Sequence, residues 1–355
     1  MSNESKQPAA QAKTLSAKQV GNLVLDNALY ILMVIAVIVI QVVNPNFLRP
    51  ASLVNILSQT AAYLPAALGI AGCIVLTGTD LSAGRAVGLT ACISASLLQV
   101  AGSASKMWPE LGTLPVALVI LIAVLLGAAI GAFNGFFVAK FKLHPFIVTL
   151  GTQLILYSCL LLYVQMGNNG GMAISSLDAS YTDFVKGSFI SVPTGNGTST
   201  PIPNYVWFAI LLAALMWFIW NKTTFGKNMF ALGSNEEAAR VSGVNVFATT
   251  ILVFALAGAM YGWTGFVEGA RIGSNTANTG FNYELDAIAA CVIGGVSFVG
   301  GIGKIRGIII GVLLLRLIFV GLNMASVPQD LIYLVKGGII LFACALDMRK
   351  YLVKK

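Results

Sequence analysis

Charged side chains are scarce in this chain. They make up 10% of its 355 residues, where a soluble globular domain carries roughly 25%, so water cannot be the main solvent of its surface. Histidine is scarcer still. His144 stands alone, and one histidine makes neither a zinc site nor a convincing triad. The five cysteines (Cys73, Cys92, Cys159, Cys291 and Cys344) lie within apolar runs and show no CxxC spacing, which argues for neither metal nor redox chemistry. A G-x-x-x-x-G-K-[ST] phosphate loop is also missing. In "GGIGKIRG" (300–307), Phe298 stands where the first loop glycine would be and Ile305 follows Lys304. No paired acids or activated nucleophile mark a membrane-embedded enzyme. A chain with no motor of its own, no cofactor motif and no metal cluster is read as a non-enzyme.

What the chain has in quantity is apolar length. It is 57% hydrophobic with a mean hydropathy of +0.85, and a bilayer core of ~30 Å needs ~20 apolar residues per helix. By that measure the sequence predicts an all-α, polytopic transmembrane bundle of about ten spans: 28–43, 53–77, 86–102, 114–139, 145–166, 204–220, 246–268, 284–300, 305–323 and 329–347. Residues 1–27 are then a polar N-terminal tail, 28–347 a single membrane domain and 348–355 a basic C-terminus. The formal charge of +8 could suggest nucleic acid, but its placement argues otherwise. With both termini in the cytoplasm, fifteen Lys/Arg, Arg85 among them, fall inside and only Arg49, Lys106, Lys186 and Arg271 outside, as the positive-inside rule requires. The basic excess is topology, with lipid and not nucleic acid as the partner. Arg316 and Lys336 stay within spans, to snorkel or to pair.

Two long connections stand out. Segment 167–203, rich in Gly, Ser, Thr, Asn and Pro, falls outside, and segment 221–245 falls inside. Within the inner one, "SNEEAARVSG" reads as a helix of about two turns: Ser234 as N-cap, Glu237 three residues on in capping-box spacing, and Gly243 as the left-handed stop. So short a helix is marginal alone and needs something to hold it: the chain's own inner surface, the lipid interface or a partner. Glycines cluster in "GAAIGAFNG" (127–135) and "GGVSFVGGIGKIRG" (294–307), where close helix packing is the plain explanation. "GTDLSAGR" places Asp80, Ser82, Gly84 and Arg85 in a break between spans, either a tight inner turn with Asp80 capping the next helix or a hinge near the pore. Gly294 and Gly295 occupy a comparable break in the second half, a loose echo of a transporter repeat. Glu268, Arg271, Glu284 and Asp286 flank the polar stretch 269–283, read as outside; they could pair with one another or dock the charged rim of a partner.

Three stretches in order carry a resemblance: "GTDLSAGRAVGL" (78–89), "TFGKNMFALGSNEEAARVSGVNV" (224–246) and "ELDAIAACVIGGVSFVGGIG" (284–303). They resemble the permeases of bacterial ABC importers for monosaccharides, the ribose, galactose and xylose group, and "EGARIGSNTANTGFNYELDAIAACV" (268–292) looks most like the galactose type. The likeness covers the chain from about Leu29 to "KYLVKK". It implies an inner-membrane permease subunit that works as a pair of copies, with a separate cytoplasmic ATPase and a periplasmic sugar-binding protein. By the same resemblance Gly233, Glu236, Glu237, Ala238, Ala239 and Gly243 match the ATPase-facing helix and its flanks. The competing function is an ion-coupled secondary transporter, which wants ionisable groups buried at mid-membrane; Asp330 and Asp347 lie at span ends, and Arg316 and Lys336 have the wrong sign for a cation.

Overall fold

The computed structural model describes residues 28–195 and 198–352, so the N-terminal tail lies outside the described residues. Each expected apolar run contains a helix. In chain order these are α1 (Ala28–Val43), α2 (Pro50–Val75), α3 (Ala83–Leu97), α4 (Val116–Phe141) and α5 (Pro145–Gln165). An outer cap follows, made of α6 (Ala179–Lys186) and the antiparallel pair β1 (Ile190–Gly195) and β2 (Thr198–Ile202). Then come α7 (Asn204–Lys222), the short α8 (Thr224–Ser234) and α9 (Glu236–Val241), α10 (Val246–Ile272), α11 (Tyr283–Ile293), α12 (Ile305–Met324) and α13 (Gln329–Leu352). Helix α13 takes in most of the stretch expected as a basic tail.

Among the described residues six helices, α2, α4, α5, α7, α10 and α12, are long and apolar enough to cross a membrane. Two of the expected spans are not full length. Instead of 86–102, α3 has 15 residues; instead of 284–300, α11 has 11. At 1.5 Å per residue these reach about 22 and 16 Å, short of the ~30 Å core. Both begin or end at a break in the backbone. Residues 76–82 separate α2 from α3, and 294–304 separate α11 from α12.

Helix α10 is the centre of the packing, with α2, α3 and α4 around it. The glycine run of α4 explains how it comes so close. A Cβ on Gly127 would stand 2.2 Å from the Gly258 carbonyl oxygen, and one on Gly258 would stand 2.0 Å from that of Gly127. Close packing, the plain reading of "GAAIGAFNG", is what the structure shows. The cap is fastened to the same core, with the Tyr181 hydroxyl of α6 donating to the Phe266 carbonyl. Asp178 caps α6 by accepting from the Ser180 hydroxyl and N–H, and those bonds hold its carboxyl below the usual range.

The polar stretch after α10 packs against the helices instead of standing free. Helix α10 runs on to Ile272, and residues 273–282 then descend along α3. The Thr276 carbonyl meets Cys92 Sγ at 3.5 Å, and the Ala277 carbonyl accepts from Arg85 at 3.1 Å. Gly280 abuts Gly84 and Gly88. Helix α3 runs about 20 Å from Gly84 to its C-terminal end, so Gly280 packs beside the start of that helix and not at its far end. The short α11 follows.

Candidate coupling and translocation site

The inner connection between α7 and α10 builds two helices where one was expected. Thr223 caps α8 by accepting from the Gly226 N–H at 3.2 Å. The cap of α9 is Asn235, not Ser234: its Oδ1 accepts from the Ala238 N–H at 2.9 Å. Ser234 still belongs to α8, and its hydroxyl turns back to the Phe230 carbonyl. The capping box with Glu237 therefore does not form, because Asn235 is the nearer Asx side chain. At the other end the sequence reading holds. Gly243 has φ +88°, its N–H bonds the Arg240 carbonyl, and the Val244 N–H bonds that of Ala239, each at 3.0 Å. That pair of bonds is the Schellman stop.

The faces of α9 divide cleanly. Glu236, Glu237, Ala238 and Arg240 are exposed, while Ala239 is buried against the chain itself. Glu236 and Arg240 pair across one turn. Val241 is 90% exposed, an apolar side chain that water alone would not favour.

Gly233 has a different environment from its neighbours in the motif. It is buried, and a Cβ there would stand 1.8 Å from the Val75 carbonyl oxygen and 2.9 Å from the Gly301 nitrogen. The Gly301 N–H itself donates to the Val75 carbonyl at 2.9 Å. Three backbones thus meet at one point: the inner end of α2, the end of α8, and the 294–304 loop. Gly295, Gly300 and Gly301 all have positive φ in that loop. Gly294 lies against Gly307, while Gly295 has open space.

The 76–82 break is held by side chains instead. Asp80 Oδ1 accepts from the Ser82 hydroxyl at 2.6 Å and its N–H at 2.9 Å. Asn134 of α4 donates to the Ser82 hydroxyl at 2.9 Å and accepts from Thr152 of α5 at 2.6 Å. The Asx turn expected of Asp80 is present, but Asp80 does not cap α3, whose N-cap is Ser82 with no side-chain capping bond. Arg85 does not pair with Asp80 but lies buried over the Tyr157 ring, 4.1 Å from its centre. Gly84 admits Glu284: a Cβ there would meet Glu284 Oε2 at 1.9 Å.

This architecture of glycine-rich breaks, half-length helices and an inner helical connection has a family. The one described as "branched-chain amino acid transport system / permease component" matches residues 52–344. The chain belongs to that family. It is 45% identical to a galactose/methyl galactoside import permease of Salmonella typhimurium, over 93% of this chain and 96% of the relative. A galactose/methyl galactoside import permease of Haemophilus influenzae is 43% identical over 94% and 97%. A ribose import permease of Escherichia coli K12 is 33% identical over 90% and 92%. No solved structure matches.

Of the four charges around 269–283 in this permease, Glu268 and Arg271 pair with each other, as one of the two expectations had it, and Asp286 pairs elsewhere. Glu268 is fully buried and accepts two bonds from Arg271, at 2.7 and 2.8 Å. Asp286 is buried between two cations: it pairs with Arg316 of α12, and Lys336 of α13 reaches its Oδ1 at 2.8 Å. The Arg316 guanidinium lies 3.5 Å over the ring of Tyr63, which stacks on Tyr283. Glu284 is 4% exposed. Of the four, Arg271 alone keeps appreciable contact with solvent. The sequence expected Arg316 and Lys336 to snorkel or to pair, but held no sign that both meet Asp286, 30 and 50 positions away. It did hold signs of the two residues missed in the connection. Asn235 is as good a cap as Ser234, and Val241 is the one large apolar residue on a polar two-turn helix.

Proposed function

We propose that this chain is the transmembrane permease subunit of an ATP-driven importer of galactose, methyl galactoside or a related hexose in the bacterial inner membrane. Two copies form the path, a separate ATPase docks from the cytoplasm, and a periplasmic binding protein delivers the sugar. The chain crosses ten times, α3 and α11 joining with their flanking breaks to complete two crossings, and both termini are cytoplasmic. The observation that carries the sugar is the 45% identity to a galactose/methyl galactoside import permease along nearly the whole of both chains, against 33% for a ribose import permease.

ATPase docking is assigned to the exposed face of α9, with Glu236, Glu237 and Ala238 as the polar contact and Val241 as an apolar anchor. Gly243 shapes that helix. Gly233 and Ala239 act within the chain, seating the helix on the junction with Val75 and Gly301. Arg271 is the remaining candidate for the binding protein. An ion-coupled mechanism has less support: Asp286 is neutralised by two cations, which leaves it no free charge to carry an ion.

The test is reconstitution in proteoliposomes with the cognate ATPase and binding protein. ATP inside should drive uptake of radiolabelled galactose in preference to ribose. Uptake driven by a proton or sodium gradient without ATP, or a preference for ribose, would refute the reading.

A further inference from the structure

With the ten crossings proposed above, residues 273–282 form an irregular, polar segment at membrane depth. Irregular backbone is not tolerated against lipid there; it must be covered by protein or face water. One side of the segment is covered by α3, through Gly84, Gly88 and Cys92. The other is open in the single chain: Thr276, Asn278 and Phe281 are exposed.

The side chains beside this open side are an unusual collection for a bilayer. The Arg85 guanidinium lies 4.1 Å from the Tyr157 ring centre and 5.3 Å from that of Phe281. Gln153 of α5 reaches Glu284 Oε1 at 3.5 Å, the outer limit of a hydrogen bond, so its carboxamide is not saturated. The Asn278 N–H donates to the Thr276 hydroxyl at 3.2 Å, while among the described residues its carboxamide makes no hydrogen bond. Gln153 stands eight residues from the inner end of α5, about 12 Å up the helix, close to mid-membrane.

We propose that this face, with Gln153, Asn278, Phe281, Arg85 and Glu284, is part of the path that touches the sugar. Carboxamides, a carboxylate and a guanidinium each offer paired donors or acceptors to neighbouring hydroxyls, and aromatic rings offer a flat apolar surface to the C–H face of a pyranose. Few groups bond each sugar, and none encloses it, as transfer without trapping demands. The inference rests on the reading of the chain as a sugar-importing permease.

The experiment uses the complete importer in proteoliposomes, in a Cys159→Ser, Cys344→Ser background. Asn278→Cys and Gln153→Cys are treated with a small charged methanethiosulfonate reagent, with Leu125→Cys, exposed on the most apolar helix, as the lipid-facing control. Both path positions should react in the resting or the ATP-bound complex while Leu125→Cys does not. Asn278→Ala and the milder Asn278→Ser should lower galactose uptake about fivefold, the scale of one lost hydrogen bond. ATP hydrolysis stimulated by the loaded binding protein should fall less than about twofold, since the motor and its docking are untouched. Absence of reaction at both positions in every state, or reaction with no loss of uptake, overturns the proposal. So does a parallel loss of uptake and ATP hydrolysis in both Asn278 variants, which would mean a structural role. Reagent access is read without sugar. A wild-type complex that imports no galactose therefore counts against the functional reading, not against this one.

Discussion

Two glycines ten positions apart in one motif are needed for opposite reasons. Gly243 has φ +88° and nothing within 4 Å of a would-be Cβ, so its requirement is conformational. A side chain there costs roughly 1 kcal/mol through the left-handed backbone, more if β-branched. Gly243→Asn should retain more galactose uptake than Gly243→Val at matched membrane levels, although the two side chains are similar in size; equal losses would count against the stop. Gly233 is the reverse case, with no room at all. Gly233→Ala must push α8 away from Val75 and Gly301, and should uncouple stimulated ATP hydrolysis from uptake in reconstituted vesicles. On α9, Ala238→Trp should leave a folded permease that binds its ATPase weakly. Ala239→Trp should lower the melting temperature, because Ala239 is 4% exposed and overpacking costs about 1–3 kcal/mol. Gly243 was legible in the sequence because a helix stop is a local event. The role of Gly233 was not, because its cause sits at Val75, more than a hundred residues earlier.

Among the elements, the positions of the apolar runs were readable and their lengths were not. Composition reports that 86–102 and 284–300 avoid water; it does not report that Gly294 and Gly295 end α11 early, or that 273–282 sinks beside α3. Polar residues between apolar runs normally mark a loop in water, and here Arg85, Gly84 and Gly88 supply a berth for them inside. The α11–α12–α13 contact shows the same limit. Asp286, Arg316 and Lys336 are individually odd in apolar helices, but only the fold puts them together. Removing the sole carboxylate leaves the buried Arg316 facing a second cation with no counter-charge, whereas Lys336 is partly exposed and can be spared. Asp286→Ala should therefore destabilise the permease by about 3–5 kcal/mol, and Lys336→Met by clearly less. Thermal unfolding in detergent would show the order, and a larger loss for Lys336→Met would contradict it.

For the whole molecule, the outer cap and the inner helices lie at opposite ends of α7, and each offers an exposed apolar residue. Phe189 is 84% exposed and Val241 90%. In intact cells an impermeant thiol reagent should reach Phe189→Cys and miss Val241→Cys, with the order reversed in inverted vesicles. Labelling of both from one side would break the topology. The partly buried bond from Arg85 to the Ala277 carbonyl spans 192 positions, and this bears on how the protein is made. Helix α3 leaves the ribosome long before the segment that covers it, and neither the guanidinium nor the polar 273–282 stretch is acceptable to lipid by itself. Membrane insertion cannot then proceed one helix at a time to the finished arrangement. Helix α3 must wait, sheltered by Tyr157 of α5 or by the insertion machinery, until synthesis reaches α11. A nascent chain halted just after Ile272 should accordingly be held at the translocon, and cleared by membrane proteases if released.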